Sequence, residues 1–358
     1  MTLSRGAIGN LVNRYRAVLR KCRMMNVFGS LAVAGMLVAG NAGFAGAEEL
    51  SGDISPISLS GDTRNIIGVG DISLRSTEPA LRYLINVSGQ GQLDISMSNG
   101  SPMAVGNADG IYLKDYSDYD QYASAFHVAG SGSSGSFAGT GTFSMVGGGK
   151  LLGVCAFLSE SKGTLTLSGD ITGEAEAVMN GSNGYASFAA AAAGGNLVFG
   201  GDRTTLRAKA STGNNANGAF VKYGGMIDFA SKSVLIESKN TDSNSVGINC
   251  ADGTVKTSAD TDLDIVVEGN KATTGIQLTA SSSDVQLAGN LDLTATQTGQ
   301  DSFASVLGIS NDSGKMVVSG PTSLRLATNA PFDAKGITAS GKADMSFLGD
   351  VEIAVTGS

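Results

Sequence analysis

VQLAGNLDLTAT, residues 285–296, alternates apolar and polar side chains on either side of an Ala-Gly-Asn interruption. Val285 and Leu287 share one face, and Leu291 and Leu293 share another. A period of two is the signature of a strand with one buried face. Gly, Asn and Asp tolerate the backbone angles of a sharp bend, so the interruption predicts a corner between two strands.

The same pattern recurs along the chain. LTLSGDITGEAEA starts at Leu165, LVFGGDRTTLRAK at Leu197, IDFASKSVLIESK at Ile227 and VKTSADTDLDIVVE at Val255. MVVSGPTSLRLAT starts at Met316 and MSFLGDVEIAVT at Met345. With Val285 included, successive starts are 32, 30, 28, 30, 31 and 29 residues apart. Looser units begin at Ile57, Ile85 and Phe126. After each corner pair comes a polar connection and a third short apolar segment, such as GAFVKYG (218–224), VGINCAD (246–252) or GIQLTAS (275–281). A repeat of 20–50 residues means a solenoid, a propeller or an array. Three strands in about 30 residues are too few for a propeller blade, which needs four in about 40–50. The expected fold is therefore all-β: a parallel β-helix of about ten rungs, three short strands to a rung. Rungs stack about 4.8 Å apart, which makes a rod of roughly 50 Å. The Ala-rich ASFAAAAAGG (186–195) falls in the third-strand phase, so it is read as strand despite its helix propensity.

Upstream of the repeats, VFGSLAVAGMLVAGNAGFAGA (27–47) follows a stretch holding Arg5, Arg14, Arg16, Arg20, Lys21 and Arg23 and no acid. It ends at Ala45-Gly46-Ala47, before Glu48. A basic region, an apolar region and a small-x-small site form a cleavable secretory signal. Five glycines and Asn41 interrupt the apolar run, which argues against a membrane-spanning helix of about 20 apolar residues. Residues 1–47 are read as a leader cut between Ala47 and Glu48, and 48–358 as the exported body. Losing the leader removes six of 24 basic residues and leaves 18 against 32 acids, a net charge of −14. Such a body repels phosphate backbones, so no nucleic-acid partner is expected. Cys155 and Cys250 remain, three rungs apart in third strands; at about 14 Å along the rod they are too distant to pair.

Leader and body together resemble the extended signal peptide and β-helical passenger of Gram-negative autotransporters (type V secretion). The resemblance implies export across the inner membrane, display at the cell surface or outer membrane, or release outside the cell. It also implies a C-terminal outer-membrane barrel in the full-length protein. This chain stops at VEIAVTGS (351–358), so it reads as a truncated passenger.

Candidate chemistry is sparse. His127 is the one histidine; between Phe126 and Val128 it should point away from the core, to solvent. One His and two body Cys residues cannot build a zinc site, and no G-x-S-x-G is present. Asp260, Asp262 and Asp264 lie at strand spacing and are read as a solvated outer face. No cofactor, metal or catalytic residue is assigned. The departure from the repeat is YLKDYSDYDQYASAF (112–126), with Tyr112, Asp115, Tyr116, Asp118, Tyr119, Asp120 and Tyr122. It is read as an inserted loop and the candidate binding element for a host or bacterial surface ligand, since insertions in solenoids map to loops and tyrosines suit interfaces. GNNANG (213–218) is read as a turn. The function expected is a non-enzymatic passenger, stalk or adhesin; the alternative is a secreted β-helical carbohydrate-active enzyme resembling polysaccharide lyases.

Overall fold

The computed structural model describes residues 47–357 except 79–80, 99, 108–121, 148–152, 179–185, 212–214, 300–304 and 330–333. These residues form parallel sheets stacked as an all-β solenoid of about nine turns, with no helix. The first and second strands of each turn join a 17-stranded sheet and the third strands a 10-stranded one. Ala186–Ala193 is a strand of the latter, so its place in the stack overrides alanine's helix preference.

The seven repeat starts stack in a single column. Leu165 pairs with Leu197, Leu197 with Ile227, Ile227 with Val255, Val255 with Val285, Val285 with Met316, and Met316 with Met345. The looser early starts also stack, but in the other sheet: Ile57 pairs with Ile85, and Ile85 with Phe126. Counting back from Leu165, the column instead passes through Gly135, Leu93 and Arg64. Gly135 and Arg64 lack the apolar character of the later starts, so the early units align more readily on their third strands.

Side chains follow the alternation. Leu287, Leu291 and Leu293 are buried while Asp292 is exposed, and Phe347 is half-buried against the core. In the middle of the chain, Phe137, Phe143, Phe157, Phe199 and Phe229 run along the interior with successive ring centroids 5.1–5.6 Å apart. Farther on, aliphatic columns such as Ile236, Ile265, Leu293 and Leu324 take over. Burying a side chain of this size contributes about 1.5–3 kcal/mol.

Two backbone features set the cross-section. At the first corner, Gly139, Gly169 and Gly201 have φ of 136°, 110° and 98°, so the strands Ser134–Gly147, Thr164–Ala177 and Asn196–Ala210 bend without ending. Third strands carry two consecutive inward residues where strict alternation allows one. Ala125-Phe126, Ala156-Phe157 and Ala189-Ala190 all face the core. In later turns the first of the pair is glycine: Gly218, Gly247, Gly275, Gly308. A Cβ on Gly275 would collide with Leu293 Cδ1 and lie 2.5 Å from the Gly308 carbonyl oxygen. This explains the recurring Gly-Ile of the third segments, and it places residues 215–218 of GNNANG in the strand Asn215–Lys222, not a turn.

The two loop edges differ. From third strand to next first strand the connection is two to four residues throughout, for example 161–163 or 223–224. From second to third strand it ranges from two residues (270–271) to fourteen (108–121). Insertions therefore enter along one edge only. The inserted segment is also shorter than the sequence implies, because Tyr122–Ala129 is already ladder strand.

Four substitutions check this register by urea denaturation. Leu291→Ala is expected to cost about 2–5 kcal/mol as a core cavity, and Asp292→Ala less than about 0.5. Gly275→Ala should cost about 1–3 kcal/mol through overpacking. Gly200→Ala, whose Cβ would meet nothing nearer than 3.9 Å, should be neutral or stabilise by up to about 1 kcal/mol.

Candidate functional site

The outer face of the 10-stranded sheet is where the side chains stop repeating. Its outward columns run Tyr83, Ser124, Cys155, Phe188 and Asn86, His127, Leu158, Ala191, Phe220. Tyr122, Cys155, Leu158, Phe188 and Ala191 form a second apolar cluster, separate from the core. Each turn contributes one or two members, so the patch exists only because the rungs are in register.

His127 points outward as its strand phase requires, but it does not reach solvent: it is 5% exposed. Tyr83 stacks on its ring at 4.0 Å. Its Nδ1 lies 2.8 Å from Asn86 Oδ1 and its Nε2 3.0 Å from Glu160 Oε2. The expectation of a solvent-facing imidazole fails because aromatic side chains from neighbouring turns roof this face. Both ring nitrogens are engaged, which leaves neither free to serve as a base.

Tyr122 belongs to the same roof and is buried, so it is not a free contact residue. Its backbone oxygen accepts hydrogen bonds from Arg82 Nε and Nη2, and its ring meets Phe188 edge-on at 5.9 Å. Burial drives its phenol far above the usual range, with the charges of Cys155, Glu160 and Tyr223 adding to the effect. The other residues of the expected binding loop, Tyr112, Asp115, Tyr116, Asp118, Tyr119 and Asp120, lie outside the described residues, as do Ala45 and the rest of the leader up to residue 46.

Cys155 is fully buried in the patch, with its thiol pushed well above its ordinary range, first by burial and then by the Glu160 charge. Cys250 faces the core, its thiol raised to about 11, chiefly by burial. Both are free. A thiol that stays protonated at neutral pH is a poor nucleophile. Cys155 therefore packs as a small apolar group, in spite of its proximity to a His–Glu pair.

At the far edge of the patch, Lys222 places its Nζ 5.0 Å from the Tyr122 ring centroid, 5.6 Å from Phe220 and 4.5 Å from Tyr223. Among the described residues no carboxylate pairs with it. Cation–π contacts of this kind contribute about 0.5–1 kcal/mol near the surface. Tyr223 is 71% exposed and has φ of 56°, an uncommon conformation for a bulky residue. Sequence reading passed over Lys222 and Tyr223, because KYGG looks like any other turn until the stacking sets it beside Tyr122.

The aspartate cluster is looser than its spacing implies. Asp262 and Asp264 share the outer face of the strand Asp262–Gly269, but Asp260 sits in the turn before it. Asn290 Nδ2 donates to Asp262 Oδ1 at 2.7 Å, and Arg325 lies 3.5 Å from Asp292. The Asp264 carboxyl is held above its usual range by partial burial, then by Asp292 and Asp262. Among the described residues, no three His, Cys, Asp or Glu side chains converge on a point that could hold a metal.

Three outcomes check this description. In folded protein at pH 8 neither Cys155 nor Cys250 should react with a disulfide reagent on the minute scale. Tyr122→Ala should speed labelling of Cys155 at least tenfold and leave Cys250 unchanged. A carboxyl whose folded pKa is raised costs stability above that pKa and nothing below its unfolded value, so Asp264→Asn should raise Tm at pH 7 and leave it unchanged at pH 3. A comparison with known proteins finds no matching family model, curated protein or solved structure.

Proposed function

We propose that the chain is a non-enzymatic β-helical passenger, a stalk or adhesin that the leader 1–47 directs out of the cytoplasm of a Gram-negative cell for display or release. The observation that supports this most is the uniform parallel stack. About nine turns repeat one cross-section, and what departs from it is confined to one edge and one face. Such a body is a scaffold that carries surface features at fixed spacing. Its interior is filled with Phe, Leu, Ile and Val. Some of its outer charges are tied into ladders between turns, as where Arg207 bonds both Glu174 and Glu237 and Lys239 bonds Glu268.

The polysaccharide-lyase reading rests on Asp260, Asp262 and Asp264 as a calcium site, and the geometry gives it little support. Asp262 is hydrogen-bonded to Asn290, and Asp260 lies off the strand.

Expression of the full chain in a Gram-negative host tests the reading. Exported material should begin at Glu48 and should confer adhesion on a displaying cell, without cleaving pectin or alginate in the presence of calcium. Protein that keeps Met1 and stays in the inner membrane contradicts the export reading. A calcium-dependent rise in Tm that disappears in Asp264→Asn, together with product release, supports the enzyme instead.

A further inference from the structure

We propose that Glu48 and Arg64 form a charged seal over the N-terminal end of the solenoid, which keeps that end from stacking on a second copy of the chain. Glu48 is the first residue of the exported body, so the proposal rests on the export reading above. The strand Glu48–Asp53 is laddered in parallel onto the strand Thr63–Ser76. Glu48 pairs with Ile66, and so heads the inward column that runs on through Ile95, Phe137, Leu167 and Phe199. Arg64 heads the neighbouring inward column, over Leu93, Gly135 and Leu165. Two columns that are otherwise apolar or glycine along these turns thus begin with a charge each.

The two charges are joined. Arg64 Nη2 lies 2.7 Å from Glu48 Oε2, and Arg64 Nε donates to the same oxygen at 2.9 Å. The side chains are 34% and 45% exposed. An ion pair this open to water contributes little to stability. Its place at the head of two core columns gives it a different effect. A further turn stacked on this end would strip water from both charges and set apolar side chains against them, and that desolvation opposes the contact.

The backbone of the same strand adds to the seal. Its register shifts between Leu50 and Gly52, where Gly52 has φ of 77°. Glu49 and Asp53 bring its acids to three of six residues. Irregular register, charged side chains and inward-pointing charges are the means by which sheet edges avoid pairing with other chains. Leu50 still packs against the core, so the strand is fastened on its inner side.

The opposite end of the described ladder carries no such device. Ile353 and Val355 pair with the buried Leu324 and Leu326, which puts them in the inward phase, and they are 44% and 48% exposed. Met345 and Phe347 head the first-strand columns there and are half-buried. None of the four is charged. Two copies of this chain can meet through that apolar end and close as a dimer. Open growth into a fibre also needs the N-terminal end, because only a chain with two adhesive ends continues. The charge pair therefore decides whether association stops.

Sedimentation of the exported chain over a wide range of concentration tests the proposal, after N-terminal sequencing of each sample. The wild type should stop at monomer or dimer. Glu48→Ile with Arg64→Leu, which continues both columns to the end, should form polymers whose mean mass grows with concentration to at least four times the wild-type value. Glu48→Asp with Arg64→Lys keeps the charges and should behave as the wild type. Neither exchange should lower Tm, since both sites are half-exposed. Polymers of the wild type, an apolar variant no larger than the wild type, or polymers that appear only with a fall in Tm would each overturn the seal and leave the export reading standing. A sample that keeps Met1 sinks the export reading at the sequencing step, and with it a seal made from the first residue of the exported chain.

Discussion

In the strands of this solenoid, each residue sits about 4.8 Å above its counterpart in the previous turn, held there by a parallel ladder. That constraint governs the rest. A side chain is acceptable only if it packs on its equivalents above and below as well as across the interior. The core becomes a set of columns, aromatic from Phe137 to Phe229 and aliphatic beyond. The corners become columns of glycine, as at Gly139, Gly169 and Gly201. Opposite charges alternate on the outside, as in the run Glu174, Arg207, Glu237. A one-residue slip would invert every face, so register and core specify each other.

The fold was largely legible because the ladder imposes a repeat, and a repeat can be read without coordinates. Val285, Met316 and Met345 align by spacing alone and do stack. Legibility fell where the columns lose their apolar character. Gly135 and Arg64 occupy first-strand positions that carry no hydrophobic signal, and the early units were therefore matched through Ile57, Ile85 and Phe126 in the other sheet. The third-strand kink was hidden for a related reason. In Gly247-Ile248 and Gly275-Ile276 a glycine counts as neither apolar nor polar, yet it takes an inward place that a larger residue could not.

The surface patch was much less legible. Its members are far apart in sequence, and only stacking brings Tyr83 onto His127 or Lys222 over Tyr122. Period-two reasoning gives the direction of His127 correctly and its environment wrongly, since alternation says which face a residue takes and not what covers that face. Tyr122 was noticed for its company of tyrosines and aspartates, but its place is in the ladder. Lys222 and Tyr223, at the far edge of the patch, belong to a short turn that looks featureless as sequence. A regular body that holds such features in fixed relation is consistent with a role in display.

The most direct test of the account is a pair of engineered crosslinks on the outer face of the second strands. Thr294 and Arg325 are ladder partners, about 4.8 Å apart, within disulfide reach. Thr294 and Ser323 lie diagonally, about 8 Å apart, beyond it. Thr294→Cys with Arg325→Cys should oxidise quantitatively to an intramolecular disulfide in the folded protein, and Thr294→Cys with Ser323→Cys should not. Oxidation of the diagonal pair, or of neither, would contradict the register on which the core and the patch both depend.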